Sequence, residues 1–257
     1  MKRLIGLCAV SLTLMCLTAC DNLIIDSRDN QVYRIVTIGN QTWMAQNLNY
    51  RYEQQPNPDS ASFCYNNQVD SCTKYGRFYI RGSAIDMPGL VPGNSPLDCT
   101  ADGNCNLSGN IRGVCPEGWH IPSKAEWDTL IATAGGPKEA AKKLKATSEW
   151  DNNGNEACGN GTDELLFTAV PAGMGFVQHL DAPPQPTLKS QASAGQGQLT
   201  FFWSSTVLEG GRAYFMALTS CDSDSLFSST EELGQMQQMA FMQMLSMSVR
   251  CIKDDEQ

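Results

Sequence analysis

Histidine is almost missing from this chain, with His120 and His179 the two that 257 residues contain. Histidine-based acid and base catalysis therefore has little to draw on. His120 lies in a Gly-Trp-His-Ile-Pro block beside a helix start and reads as structural, and His179 sits at the edge of an insertion. Positive charge is also scarce: 18 lysines and arginines face 27 acidic residues, and no basic cluster relieves the deficit. That excludes a phosphate-neutralising nucleic-acid surface. A recognisable nucleophile, base or cofactor motif is lacking too. The many carboxylates show no spacing that singles out a glycosidase pair.

What the chain does have begins at residue 1. Lys2 and Arg3 lead into an apolar run that stops at Leu17-Thr18-Ala19-Cys20, the pattern of a bacterial lipoprotein cleavage box. Such a segment is too short to span a bilayer and is removed. The expected layout is a signal peptide over 1–19, a lipidated tether over 20–30 starting at Cys20, and a domain over 31–257. The partner implied is a lipid bilayer, and the location a cell envelope, at the outer membrane or cell surface. At about 0.8 kcal/mol per buried methylene, two or three acyl chains hold a protein almost irreversibly. Losing Lys2 and Arg3 takes the cationic count from 18 to 16 against 27 acids, a mature net charge near −11.

Cysteine usage agrees with an oxidising compartment. Cys8 and Cys16 leave with the signal and Cys20 is lipidated, so Cys64, Cys72, Cys99, Cys105, Cys115, Cys158, Cys221 and Cys251 remain. An even set outside the cytoplasm reads as disulfides, with on the order of a hundred connectivities open. Short Asn-, Gly- and Asp-rich stretches between Cys64 and Cys72 and between Cys99 and Cys105 favour local hairpin staples. Pairing Cys115 with Cys251 and Cys158 with Cys221 would then close long loops, at about 4 to 5 kcal/mol each.

Local patterns predict an α+β domain. Tyr33–Ile38 and Gln41–Met44 read as a hairpin around Gly39-Asn40. Asp86–Asn110 reads as a loop. Ser123 and Glu126 form a capping box behind Pro122, and Trp127, Leu130, Ile131 and Ala134 make one apolar stripe ended by Gly135-Gly136. A second helix follows Pro137, with Ala140, Ala141 and Leu144 inward. Strands are expected over Leu165–Val170, Phe201–Thr206, Ala213–Leu218 and Ser246–Ile252, with Glu209–Arg212 as a turn. Asp181–Gln198 reads as a Pro-, Gln- and Ser-rich surface insertion.

Three stretches are candidate sites. Asp151, Asn153 and Asn155, with Asp163 beyond them, place oxygen ligands at alternate positions as calcium requires, although Glu156 and Thr162 stand where an EF-hand needs glycine and glutamate. Met236, Met239, Met242, Met244 and Met247 would suit a soft metal, but without a nearby His or free Cys they read as adaptable filler of a helix core. Trp203 and Tyr214 are aromatics that would stack on a sugar face or anchor a protein contact.

The string Ile38-Gly39-Asn40-Gln41-Thr42-Trp43-Met44-Ala45-Gln46-Asn47-Leu48-Asn49-Tyr50 resembles the opening signature of the Fibrobacter succinogenes major paralogous domain. Cys64-Tyr65-Asn66-Asn67, Lys74-Tyr75-Gly76-Arg77, Cys115–Ser123, Leu144-Lys145, Pro171-Ala172-Gly173, Phe202–Thr206 and Val249–Asp254 resemble its later blocks, in order. The resemblance implies a C-type-lectin-like fold related to the formylglycine-generating enzyme and sulfatase-modifying factor group. It also implies a bond between Cys115 and Cys251, where geometry agrees because such a domain brings its chain ends together. The carbohydrate-binding triplets of calcium-dependent lectins are not recognisable, so lectin activity is not inherited from the fold. The function expected is non-enzymatic display or binding of carbohydrate or protein at a cell surface; the alternative is a formylglycine-generating-type enzyme, which would need two reactive cysteines.

Overall fold

The computed structural model describes residues 22–53, 62–86, 109–156, 158–180, 187–207, 213–221 and 245–255. Its first sheet grows from the N-terminal side by antiparallel hairpins. Strands β1 (Leu23–Ile25), β2 (Val32–Ile38) and β3 (Gln41–Met44) lie in sequence, and β12 (Ile252–Lys253) and β6 (Trp119–His120) complete the order β1-β2-β3-β12-β6. Gly39 supplies the positive φ of 64° that the β2–β3 turn needs. The expected tether is thus partly folded. Leu23, Ile24 and Ile25 pair with Arg34, Tyr33 and Val32, because Ile24 packs inward beside the buried Tyr33.

The second sheet holds β4 (Ser62–Phe63), β5 (Phe78–Ile80), β7 (Met174–Leu180), β8 (Thr187–Ala194), β9 (Leu199–Val207), β10 (Ala213–Thr219) and β11 (Leu245–Ser248). Its pairs are antiparallel apart from β11 with β9. The Pro-, Gln- and Ser-rich stretch is therefore in part a strand, β8, paired along β7. The strand expected over Ser246–Ile252 divides: β11 belongs to one sheet and β12 to the other, so Val249, Arg250 and Cys251 cross between them.

Helix α3 (Lys124–Thr133) has both halves of its capping box, and α4 (Pro137–Leu144) starts on Pro137. Short helices α1 (Val69–Tyr75) and α2 (Arg81–Ala84) flank β5. The stripe on α3 lands on an aromatic cluster. Trp127 lies 4.7 Å from Trp43 and 5.7 Å from Phe202, and Phe167 closes the group edge-on. Burying rings of this size is worth about 2 to 3 kcal/mol each.

Arg250, at the crossing between sheets, is wholly buried. Its Nε and Nη2 donate to Asn47 Oδ1 at 3.1 and 2.5 Å, and its Nη1 donates to Met44 O at 3.3 Å and Phe167 O at 2.5 Å. Its guanidinium carbon sits 4.4 Å from the centre of the Phe167 ring and 5.3 Å from that of Phe202. Burial pushes its pKa down to about 9. This grip explains why Leu165–Val170 is not the expected strand. The carbonyl of Phe167 serves the guanidinium, Asp163 accepts from Thr168 N at 2.7 Å and Thr168 Oγ1 at 2.8 Å, and Leu166 and Thr168 take positive φ.

Among the described residues, three disulfides join Cys64 to Cys72, Cys115 to Cys251 and Cys158 to Cys221. The first ties the turn Tyr65–Asn67 to α1 rather than stapling a hairpin. Cys99, Cys105, Cys20 and the signal lie outside the described residues, as do Glu209–Arg212 and Met236 to Met244; Met247 is a buried residue of β11 rather than of a helix.

Candidate ligand-binding groove

The loop from Asp26 to Gln31 that joins β1 to β2 is built around one buried carboxylate. Asp26 is fully buried and accepts from Arg28 N at 3.1 Å, Nε at 2.9 Å and Nη2 at 2.6 Å. Burial alone would raise the Asp26 pKa, but the Arg28 hydrogen bonds and charge outweigh it and the carboxyl is held below its usual range. Arg28 is thereby fixed over the Tyr50 ring, with its guanidinium carbon 3.8 Å from the ring centre. Asn30 takes the positive φ of 60° that closes the loop.

Signature residues form the floor. Asn49 N donates to Tyr33 Oη at 3.0 Å, and Asn49 O accepts from Gln31 Nε2 at 3.0 Å. Asn49 Oδ1 is buried without a hydrogen-bond partner among the described residues. The far wall is α1, held by the Cys64–Cys72 bond, and Gly76 lets the chain turn back: a Cβ there would meet Asn47 Cβ at 2.6 Å and Leu48 O at 2.9 Å. A groove of about 400 Å³ results, lined by Arg28, Asn49, Tyr50, Arg51, Thr73 and Arg77 among others. Arginine, asparagine and glutamine side chains beside an aromatic ring on an ordered backbone suit a ligand rich in hydroxyl groups.

A second groove of about 380 Å³ lies at the other end of the first sheet, lined by Gln41, Glu126, Thr129, Asp254 and Asp255 among others. Behind it, His120 is buried between two carboxylates, with Nδ1 2.6 Å from Asp254 Oδ1 and Nε2 2.8 Å from Glu126 Oε1. Glu126 Oε2 meanwhile accepts from Ser123 N at 2.6 Å and Oγ at 2.7 Å. Burial opposes a charge on His120, yet the bonds and charges of Glu126 and Asp254 prevail and raise its pKa. With both ring nitrogens engaged, this imidazole links β6, α3 and the C-terminal segment. A proton-transfer role would first require one of those bonds to break.

The residues singled out in the sequence do not gather in either groove. Trp203 is 1% exposed and its Nε1 donates to Tyr79 O at 2.8 Å, so its ring is core and offers no face to a ligand. Tyr214 is half-buried with Lys124 Nζ 5.7 Å from its ring centre. Of the oxygens expected to hold calcium, Asp151 Oδ1 accepts from Asn153 N and Asp163 from Thr168 in local turns, and Asn153 Oδ1 accepts from the distant Gln198 Nε2; Asn155 N donates to Asn152 O. No group of three or more His, Cys, Asp or Glu able to hold a metal occurs among the described residues. The groove residues Arg28 and Arg51 carried no motif, whereas Asn49, Tyr50 and Arg77 stand within the quoted signature blocks, which was the available signal.

Fold and grooves together define a disulfide-stapled α+β module with preformed polar clefts. The family model for the Fibrobacter succinogenes major domain matches residues 36–253, and the chain belongs to that family. No curated protein and no solved structure matches it. Among the described residues, no helix is long and apolar enough to cross a membrane.

Proposed function

We propose that the protein is a lipid-anchored module of the cell envelope that binds carbohydrate in the groove between the β1–β2 loop and α1, on a C-type-lectin-like scaffold. The observation that carries this reading is the groove itself, which gathers Arg28, Asn49, Tyr50, Arg51 and Arg77 from the β1–β2 loop, the signature segment and the turn after α1. Sugar hydroxyls both donate and accept, so they pair with the asparagine, glutamine and arginine side chains that line the groove while a sugar face stacks on Tyr50. The anchor is supported by the Leu-Thr-Ala-Cys box, and an extracytoplasmic location by the paired cysteines. A glycan array probed with the protein tests the binding. Retention of a defined saccharide, weakened at least about tenfold by Asn49→Ala, is expected for the loss of about 1.4 kcal/mol or more. Retention unchanged by Asn49→Ala and Tyr50→Ala would remove the groove from the function. Mass spectrometry of the N-terminal peptide tests the anchor, with an acylated Cys20 expected.

A further inference from the structure

We propose that the outward face of the β1–β2 hairpin rests on the bilayer, so that the domain sits oriented on the membrane rather than swinging from it. This inference depends on the reading of Cys20 as lipidated. Five large apolar side chains are exposed among the described residues, and three of them share this one face: Leu23 at 45%, Ile25 at 67% and Val32 at 52%. Leu23 and Ile25 alternate along β1, Val32 stands directly opposite Ile25, and the exposed Arg34 stands opposite Leu23. Ile24 and Tyr33, between them in the pleat, pack into the core.

Position along the chain identifies the occupant. Asp21 and Asn22 are the two residues between Cys20 and Leu23. At about 3.5 Å per residue they hold the acylated residue within about 10 Å of this face. Side chains that lie in a bilayer interface enter it by about 5 to 10 Å, a depth these three can reach.

Charge points the same way. The net charge of the mature chain, near −11, would be repelled by anionic headgroups if it lay on this face. Strands β1 and β2 contain no carboxylate, and in the loop between them Asp26 is buried against Arg28 while Asp29 is engaged by Gln31; Glu126, Asp254 and Asp255 line the groove beside β12, beyond β2 and β3. Adjacent strands are about 4.8 Å apart, so crossing from β1 to β12 takes about 14 Å. Screening at physiological salt acts over about 8 Å, so that distant acidic groove weighs little beside the apolar face, Arg34 and the nearer Asp21 and Asp29.

The test uses the full chain, matured in cells and reconstituted in vesicles of phosphatidylethanolamine and phosphatidylglycerol. An environment-sensitive fluorophore is attached through Ile25→Cys or, at the acidic end, Thr129→Cys, and nitroxide-bearing lipids act as quenchers. Quenching roughly threefold or more stronger at position 25 is expected for an interfacial site. The paired change Leu23→Asp and Val32→Asp should bring it down to the level at position 129, with the urea midpoint reporting that the fold persists. Equal quenching at both positions, with acylated Cys20 confirmed by mass, overturns the orientation and leaves the anchor standing. Absence of acylation overturns both. Energy transfer between labelled copies without lipid quenching assigns the face to a second copy and also overturns the proposal.

Discussion

Replacing Cys115 and Cys251 together by alanine removes the bond that spans most of the domain. Its ends are 136 residues apart, which the chain-entropy relation converts to about 5 kcal/mol at 25 °C. The Cys158–Cys221 bond is nested inside and already shortens that path by 63 residues, so the effective loop is about 74 residues and the figure about 4.5 kcal/mol. Both sulfurs are fully buried, and their loss from packed surroundings adds roughly 1 kcal/mol. Against a typical stability of 5 to 15 kcal/mol the variant is marginal. The matched control is Cys64→Ala with Cys72→Ala, whose ends are 8 residues apart, for which the same relation gives about 2.5 kcal/mol. Urea unfolding followed by tryptophan fluorescence separates the two. With a slope of about 2 to 3 kcal/mol per molar, the long bond should lower the midpoint by about 2 M and the short one by about 1 M. A short-bond variant that loses as much as the long-bond variant would refute loop closure as the source of stability.

Three other outcomes are expected. His120 has a folded pKa above its unfolded value, so the stability it supplies is complete below about pH 6.5 and is lost as pH rises through the folded value. The urea-midpoint gap between the protein and His120→Gln should therefore shrink from pH 6 to pH 9, and a constant gap would contradict the two-carboxylate cradle. Arg250→Lys keeps the charge but cannot fork between Asn47 Oδ1 and the Met44 and Phe167 carbonyls, so a loss of about 2 to 4 kcal/mol in urea unfolding is expected. Asp163→Ala should cost about 1 to 2 kcal/mol of thermal stability without calcium present, since its carboxylate orders the backbone at Thr168. A cost that appears only with added calcium would favour a metal role for Asp163 over the turn-ordering one.

The sequence was most legible where structure is local. The Ser123–Glu126 box, the stripe from Trp127 to Ile131 and the Gly39 turn each carry their cause within a few residues, and each element stands where expected. It was opaque where distant groups decide. Leu165–Val170 is apolar enough for a strand, but Arg250 and Asp163 redirect its backbone, and nothing nearby in sequence announces that capture. Trp203 lost its candidacy for a similar reason: the carbonyl that takes its indole proton belongs to Tyr79, 124 residues away. Leu23–Ile25 is too short to stand out from its polar surroundings, and the partner that makes it a strand, β2, reads in sequence as the start of the domain. The arginine-lined groove depends on that overlooked strand, so its Arg28 wall was invisible until β1 was in place.

The nested Cys115–Cys251 and Cys158–Cys221 bonds also govern how the protein tolerates damage. Any single backbone cut between Cys115 and Cys251 leaves two pieces still joined by the outer bond, and a cut between Cys158 and Cys221 leaves them joined twice. One cut in that span therefore leaves both β11 and β12 covalently tied to the rest of the domain, so a nicked chain keeps its two sheets within reach of each other.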